Sequence, residues 1–343
     1  MTLHTECQPK LVKPIELRCI ASLIPHCGIL IYAMIATVTL NPALDKSIYV
    51  DRLHPNDTNR ILRVEVDAGG KGINASRVLK ELGSETIALG FVGGKIGSFI
   101  EHVLENEGIP TDFVQVKADT RTNVCIQELT GSPPTMLNEP GPNIAEDDFD
   151  KLFDKVRKVA RESSFVIFGG SLPPGVPKDI YKLLVNAAQE SDSKAILDSD
   201  GEPMRLGMKS MPYMIKPNRE EAERLVSLRV KNVGEAVRAA NILARNGVKL
   251  VVISMGADGA VACSAGEVWQ AVPPKVTPVS TIGSGDSMVA GIAHILSKGG
   301  SLGEALKLGA AAGAATAMTD GTEICSHHQV QDLLKKVRLE RLS

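Results

Sequence analysis

Thr281-Ile-Gly-Ser-Gly-Asp-Ser-Met288, with further apolar residues at Val289, Ile292, Ile295 and Leu296, decides how this chain is read. Apolar positions three and four apart line one face of a helix, so Gly283, Ser284 and Gly285 form the tight turn that opens it. A helix N-terminus presents unpaired N–H groups and the positive end of a dipole, which suits an anion such as phosphate. Asp286, in the first turn, stands where it can deprotonate an acceptor hydroxyl beside a bound phosphate. The turn amides would hold the charge that develops during transfer. An aspartate at this place also serves as a simple helix cap, and the turn alone leaves both readings open.

Working outward, short β-branched runs alternate with helical patterns from Met34 onward, the pattern of a mostly parallel sheet covered by helices. The expected core strands are 35–40, 86–92, 165–168, 195–198, 213–215 and 250–254. The expected helices between them are 74–82, 99–106, 146–161, 179–189, 219–225 and 234–246. Two stretches break the rhythm. Ser47 to Val66 and Phe113 to Leu137 show alternating polarity with Gly, Pro or Asn at their ends, as in a small sheet rather than βαβ units. They are expected to pair as a lid, drawn from about 43–66 and 111–137, on one α/β domain spanning 34–343.

With 343 residues the chain can bury a large core without staples. Its 38 basic and 40 acidic residues leave a formal charge of −2, which gives no bulk reason to bind nucleic acid or an anionic membrane. Any affinity for phosphate is therefore local. The six cysteines, Cys7, Cys19, Cys27, Cys125, Cys263 and Cys325, have neither zinc spacing nor the density of a disulfide scaffold, which suits a reducing cytoplasm. Upstream of Met34, Lys10, Lys13 and Arg18 precede an apolar run broken by Pro25 and His26. That run is too short to span a bilayer, and it reads as a dispensable or wrongly translated extension (1–33) ahead of a targeting peptide.

The opening motif, extended to Ser280-Thr-Ile-Gly-Ser-Gly-Asp-Ser-Met-Val-Ala-Gly291, resembles the C-terminal signature of the phosphofructokinase-B family of carbohydrate kinases. Four more segments match in the family's order. They are Ala68-Gly-Gly-Lys-Gly-Ile-Asn74, Gly170-Ser-Leu-Pro-Pro-Gly175, Lys216-Pro-Asn218 and Ser254-Met-Gly-Ala-Asp-Gly259. The resemblance implies a ribokinase-like three-layer sandwich with a β-sheet lid, and ATP as co-substrate with Mg²⁺. It also implies a K⁺ site near Ser280, Ile282 and Gly321. It places Gly69, Gly70, Lys71, Asn74 and Ser171 at the acceptor, and Lys216, Asn218, Glu221, Ser254, Gly256 and Gly259 at the nucleotide. Asn218 and Glu221 also read as a helix cap and a solvated acid, and Gly256 and Gly259 as a hairpin bend.

Asp45 matches the family's early sugar-binding aspartate, whose carboxylate can accept from two hydroxyls. Arg60 and Arg121 resemble residues that hold an acceptor phosphate, a task suited to paired guanidinium donors. The N-terminal half looks like 1-phosphofructokinases and tagatose-6-phosphate kinases, whereas Gly321 to His327 looks like the type II 6-phosphofructokinase. Because the N-terminal segments touch the acceptor, fructose 1-phosphate is expected ahead of fructose 6-phosphate. Thr58 also replaces a lysine of the type II enzyme, and Gly169 stands where the family usually has Ser. An unphosphorylated-sugar or nucleoside kinase and a non-catalytic sugar sensor are the rivals, and a homodimer through the lid edge is expected. A dinucleotide oxidoreductase is disfavoured because no Gly-x-Gly-x-x-Gly follows the first strand.

Overall fold

A computed structural model of the chain describes residues 34–131 and 134–342, so the extension at 1–33 lies outside the described residues. The chain opens with β1 (Met34–Thr39), β2 (Ala43–Val50), β3 (Arg63–Gly69), α1 (Lys71–Glu81), β4 (Thr86–Val92), α2 (Gly94–Asn106) and β5 (Val114–Gln115). Then come β6 (Arg121–Glu128), β7 (Thr135–Asn138), α3 (Glu146–Ala160), β8 (Ser163–Gly169), α4 (Ile180–Gln189), β9 (Lys194–Asp198), α5 (Gly201–Gly207) and β10 (Met214–Ile215). The remainder is α6 (Arg219–Val226), α7 (Val233–Arg245), β11 (Leu250–Ser254), β12 (Ala260–Ser264), β13 (Glu267–Val272), α8 (Ser284–Ser297), α9 (Leu302–Thr316), α10 (His327–Leu334) and β14 (Arg338–Arg341).

Ten strands form one sheet in the order β14-β13-β12-β11-β10-β9-β8-β1-β4-β5. The pairings from β11 through β5 are parallel, and those among β11 to β14 are antiparallel. Central strands such as β1 and β8 are buried on both faces, which is why they read as unbroken apolar runs. Along β8 the side chains alternate between two cores. Val166 and Phe168 join Leu152, Leu184 and Leu243 on one face, whereas Phe165 and Ile167 join Leu79, Ile292 and Leu306 on the other. Helices thus cover both faces, and the three-layer sandwich follows.

The second sheet has the order β3-β2-β6-β7 and forms the expected lid. Its boundaries need one correction. Val114–Gln115 pairs with β4 at the edge of the large sheet instead of joining the lid, because the buried Phe113 packs with Ile100 and Leu104 beneath α2. The antiparallel strands β12 to β14 were not anticipated either. The Ala-rich run Ala260-Val-Ala-Cys-Ser264 is buried and carries little alternation to announce a strand.

Candidate active site

The parallel strands deliver their carboxyl ends to one cleft of about 650 Å³, where an open α/β sheet usually binds its ligands. Asn41 follows β1, Gly170 and Ser171 follow β8, Asp198 closes β9, Lys216 follows β10 and Ser254 closes β11. Three helices, α1, α6 and α8, begin at the same cleft, so their unpaired N–H groups surround it. The residue capping α8 is Gly283, held at φ 75°, a left-handed geometry that glycine adopts without strain. Asp286 is therefore not the cap. It lies two residues inside the helix, buried, and accepts a 2.8 Å hydrogen bond from Nδ2 of Asn74.

Beside it lies a buried charge network. Asp198 accepts from Lys71 Nζ at 3.0 Å, and Lys216 Nζ lies 3.6 Å from its other oxygen, which has no hydrogen-bond partner. Burial opposes the charge on Asp198, but the Lys216 and Lys71 ammonium groups outweigh it and hold this carboxyl below the usual range. Asp286 goes the other way. Burial raises its pKa to about 6, the charge on Asp198 adds to the rise, and Lys71, Asn74 and Lys216 pull against it. The neighbouring carboxylates are thus driven apart, one fixed as an anion and one left able to exchange a proton near neutrality. The Lys216 ammonium also lies against the anion turn, since a Cβ on Gly285 would come within 3.0 Å of it.

The acceptor end is built by the lid. Asp45 on β2 accepts from Asn123 Nδ2 at 2.8 Å, and faces Asp67 on β3 and Asn123 on β6 across the sheet. Burial raises the Asp45 pKa, with Asp67 adding to the rise while Asn123 and Arg121 oppose it. Gly69 does not line the cleft. Its missing Cβ leaves the space that the Asp45 carboxylate occupies. Arg121 donates to the carbonyls of Glu139 at 2.8 Å and Asn41 at 3.1 Å, and Asn41 Nδ2 donates to Ser171 Oγ at 3.2 Å. Asn41 Oδ1, Asn123 Oδ1 and Arg121 Nε are buried with no hydrogen-bond partner among the described residues. Unpaired buried polar groups are costly, and all three residues that carry them line the cleft, which fits a hydroxylated ligand.

Away from the lid, a second cavity of about 460 Å³ shares Ser254, Gly256, Thr281 and Gly285 with the cleft and is walled by Pro273, Val276, Ala310 and Ala314. Gly259 and Ser284 line this apolar slot rather than the cleft itself. Asn218 and Glu221 do form the reciprocal helix cap that their spacing allowed. Asn218 Oδ1 accepts from the Glu221 N–H at 2.9 Å, and the Glu221 carboxylate accepts from the Asn218 N–H at 2.8 Å. Both also line the cleft, so the two readings coexist. Gly256 and Gly259 bend the chain between the antiparallel strands β11 and β12, again without leaving the site.

Most of the expected site residues are brought together. Arg60 is not: it is exposed in the segment between β2 and β3 and does not line the cleft. Sequence reasoning missed Asp198, Asn41 and Asn123. The signal for Asp198 was an acidic residue ending an apolar strand, which is where such sheets place their chemistry. Ser280, Ile282 and Gly321 do converge, with Ser280 Oγ donating to the Gly321 carbonyl at 2.6 Å and accepting from the Ile282 N–H at 3.3 Å.

Residues 38–329 match the pfkB family carbohydrate kinase, and the chain belongs to that family. It is 37% identical over 308 residues to a 1-phosphofructokinase of Borreliella burgdorferi, covering 90% of this chain and 98% of that one. A tagatose-6-phosphate kinase of Staphylococcus epidermidis is 33% identical over 309 residues, 89% of this chain and 99% of its own. The crystal structure of phosphofructokinase-2 from Escherichia coli in complex with substrates and products superposes with a TM-score of 0.84. It is 31% identical, covering 88% of this chain and 99% of that one. The class is thus an ATP-dependent sugar-phosphate kinase, and ATP with a divalent metal belongs to that class.

Proposed function

We propose that the chain transfers the γ-phosphate of ATP to a fructose phosphate, with fructose 1-phosphate as the preferred acceptor and fructose 1,6-bisphosphate as the product. Fructose 6-phosphate and tagatose 6-phosphate are the next candidates. The observation that carries the reading is the Asp45 carboxylate, held by Asn123 and faced by the Arg121 charge, in the same cleft as Asp286. Sugar hydroxyls would pair with the carboxylate and the amides. Arg121 would take the acceptor's own phosphate.

In this reading the apolar slot holds the nucleotide base, and the chain of phosphates runs past Lys216 to the amides of Gly283, Ser284 and Gly285. Asp286 removes the proton from the attacking hydroxyl as the phosphoryl group arrives. Its pKa of about 6 leaves it mostly ionised at neutral pH yet basic enough to accept that proton. Lys71 and Lys216 offset the charge that builds on the transferred group, and Asn74 keeps the Asp286 carboxyl aimed. Mg²⁺ fits the cleft, since the Glu221 carboxylate lines it and supplies a hard oxygen that can reach a nucleotide-bound ion through water. It would arrive with ATP and neutralise the nucleotide phosphates. A K⁺ ion near Ser280, Ile282 and Gly321 would brace the anion turn.

Three further parts of the reading concern the whole protein. On β3, Val64 and Val66 are exposed and alternate with the inward-facing Arg63, Glu65 and Asp67, and Leu137 on β7 is exposed too. An apolar outer face of that kind supports a homodimer through the lid. Among the described residues no helix is long and apolar enough to cross a membrane, and Cys125, Cys263 and Cys325 are free and buried, which supports the cytoplasm. Residues 1–33 precede the first strand and are read as dispensable. The deciding experiment is a coupled ADP-release assay across fructose 1-phosphate, fructose 6-phosphate, tagatose 6-phosphate, fructose and ribose. The highest kcat/KM is expected for fructose 1-phosphate, and a preference for fructose or ribose would sink the sugar-phosphate reading.

A further inference from the structure

The lid and the anion turn both line the cleft, and one short loop touches both. Arg63, Glu65 and Asp67 share the inward face of β3 because alternate residues of a strand point the same way. The loop at 320–322 meets that face three times. Thr322 Oγ1 donates to Asp67 Oδ2 at 2.6 Å, and Asp320 lies 3.7 Å from the Arg63 guanidinium. Between them, Gly321 packs so closely that a Cβ would come within 2.8 Å of Glu65 Oε2 and 3.0 Å of Ser47 Oγ. The other side of the same residue faces the turn. The Gly321 carbonyl accepts from Ser280 Oγ, which itself accepts from the N–H of Ile282, a cleft residue next to Gly283.

The path is therefore continuous through hydrogen bonds and close packing. It runs from Asp67, opposite Asp45 in the lid, through Thr322 and Gly321 to Ser280 and the turn that opens α8. Thr322 is buried, its bond to Asp67 spans 255 positions of sequence, and the acceptor being a carboxylate makes it one of the stronger kinds of neutral-donor bond. Two elements joined through short, directional contacts cannot move independently without breaking one of them.

We infer that the 320–322 loop is a strut tying lid strand β3 to the anion turn, with Thr322 as its positioning residue, so that acceptor and nucleotide bind cooperatively. The inference rests on the reading of the cleft as a nucleotide site beside a sugar-phosphate site. A ligand that draws the lid inward holds the loop, and the loop holds Ser280 and the turn amides in place for the transferring phosphate. Neither Thr322 nor Asp320 lines the cleft, so each acts through another group.

The test measures the Kd of the sugar phosphate that gives the highest turnover, with and without the non-hydrolysable nucleotide AMPPNP and Mg²⁺. The native protein is expected to bind the sugar phosphate at least about fivefold tighter when the nucleotide is present, the lower end of ordinary coupling between sites. Thr322→Val keeps the shape and removes the hydroxyl, and should bring that ratio to within about twofold of one. Thr322→Ser restores the donor and should recover the native ratio. Should Thr322→Val fail to fold, Ser280→Ala breaks the same path at its other end and is expected to give the same collapse. A native protein without coupling overturns the strut, and so does a Thr322→Val protein that melts earlier but keeps the native ratio. That last pattern marks a purely structural staple. Turnover of sugar phosphates with no coupling leaves the kinase reading standing, whereas failure to bind either ligand removes both.

Discussion

The floor of the cleft and its lid solve the same electrostatic problem in opposite ways. On the floor, Asp198, Lys71 and Lys216 neutralise one another within a parallel sheet buried on both faces, and Asp286 is fixed against them by Asn74. In the lid, Asp45 and Asp67 face each other on a small sheet, and Asn123 and Arg121 keep polar atoms unpaired, as does Asn41 in the segment that leads into it. The floor leaves Asp198 Oδ2 without a hydrogen bond, but its charges already balance, which suits groups that must hold still while charge moves. A site that is incomplete suits groups that exist to be completed by a substrate. The difference predicts that damage to the floor appears in kcat and damage to the lid in the acceptor's KM.

The largest expected effect belongs to the floor. Asp286→Asn preserves size and the contact with Asn74 but removes the base, so kcat should fall by roughly 10² to 10⁴ while KM for ATP changes little. Its melting temperature at pH 8 should not drop. The folded-state pKa of Asp286 is raised above its unfolded value, so the ionised form is the costly one above about pH 6, and an uncharged side chain relieves that. A variant keeping more than about half the native rate would remove Asp286 from the chemistry.

In the lid, Arg121→Ala should raise KM for the phosphorylated acceptor by roughly 10- to 150-fold, the loss of a charge-assisted contact of about 1.5 to 3 kcal/mol. Fructose, which never makes that contact, should be indifferent to the change. Equal losses on fructose and on its phosphate would mean that Arg121 merely supports the lid through its bonds to the Asn41 and Glu139 carbonyls.

The pH profile sharpens the same contrast with a smaller effect. Because the base must be ionised in the free enzyme, kcat/KM should be level above about pH 7 and fall towards tenfold per unit well below pH 6. A limb centred near pH 4 would show that Asp286 titrates as an ordinary exposed carboxylate, and the burial that sets the floor apart from the lid would lose its meaning.

How much of this was legible beforehand follows the same division. The anion turn, the Ala68 to Asn74 loop and the parallel strands are local patterns, so glycine spacing and apolar periodicity exposed them. The lid's two segments were visible as breaks in that rhythm, although 114–115 was assigned to the wrong sheet. Asp198 and Asn41 gave no local cue to their partners. Asp198 finds Lys71 from 127 positions away, and Asn41 finds Ser171 from 130, because the sheet order sets β1 beside β8 and β8 beside β9 and helix α1, which Lys71 opens, packs on β1 and β8. Contacts created by strand order are invisible to any window short enough to read a helix.

The smallest expected effect is Arg60→Ala, and it tests where the lid ends. Sequence resemblance paired Arg60 with Arg121 as a second phosphate ligand, yet Arg60 is exposed between β2 and β3 and outside the cleft, while Arg121 sits at its wall. An exposed cation held away from its target contributes little, since water and salt screen it over about 10 Å. Acceptor KM should therefore change by less than about twofold for Arg60→Ala, and the change should shrink further at high ionic strength. Combining it with Arg121→Ala should add nothing beyond the sum, because residues without shared partners contribute independently. A loss on Arg60→Ala as large as that on Arg121→Ala, confined to the phosphorylated acceptor, would mean that the segment at 51–62 reaches the phosphate during turnover. The lid would then complete itself by moving as well as by binding, and its contrast with the fixed floor would be larger than the structure displays.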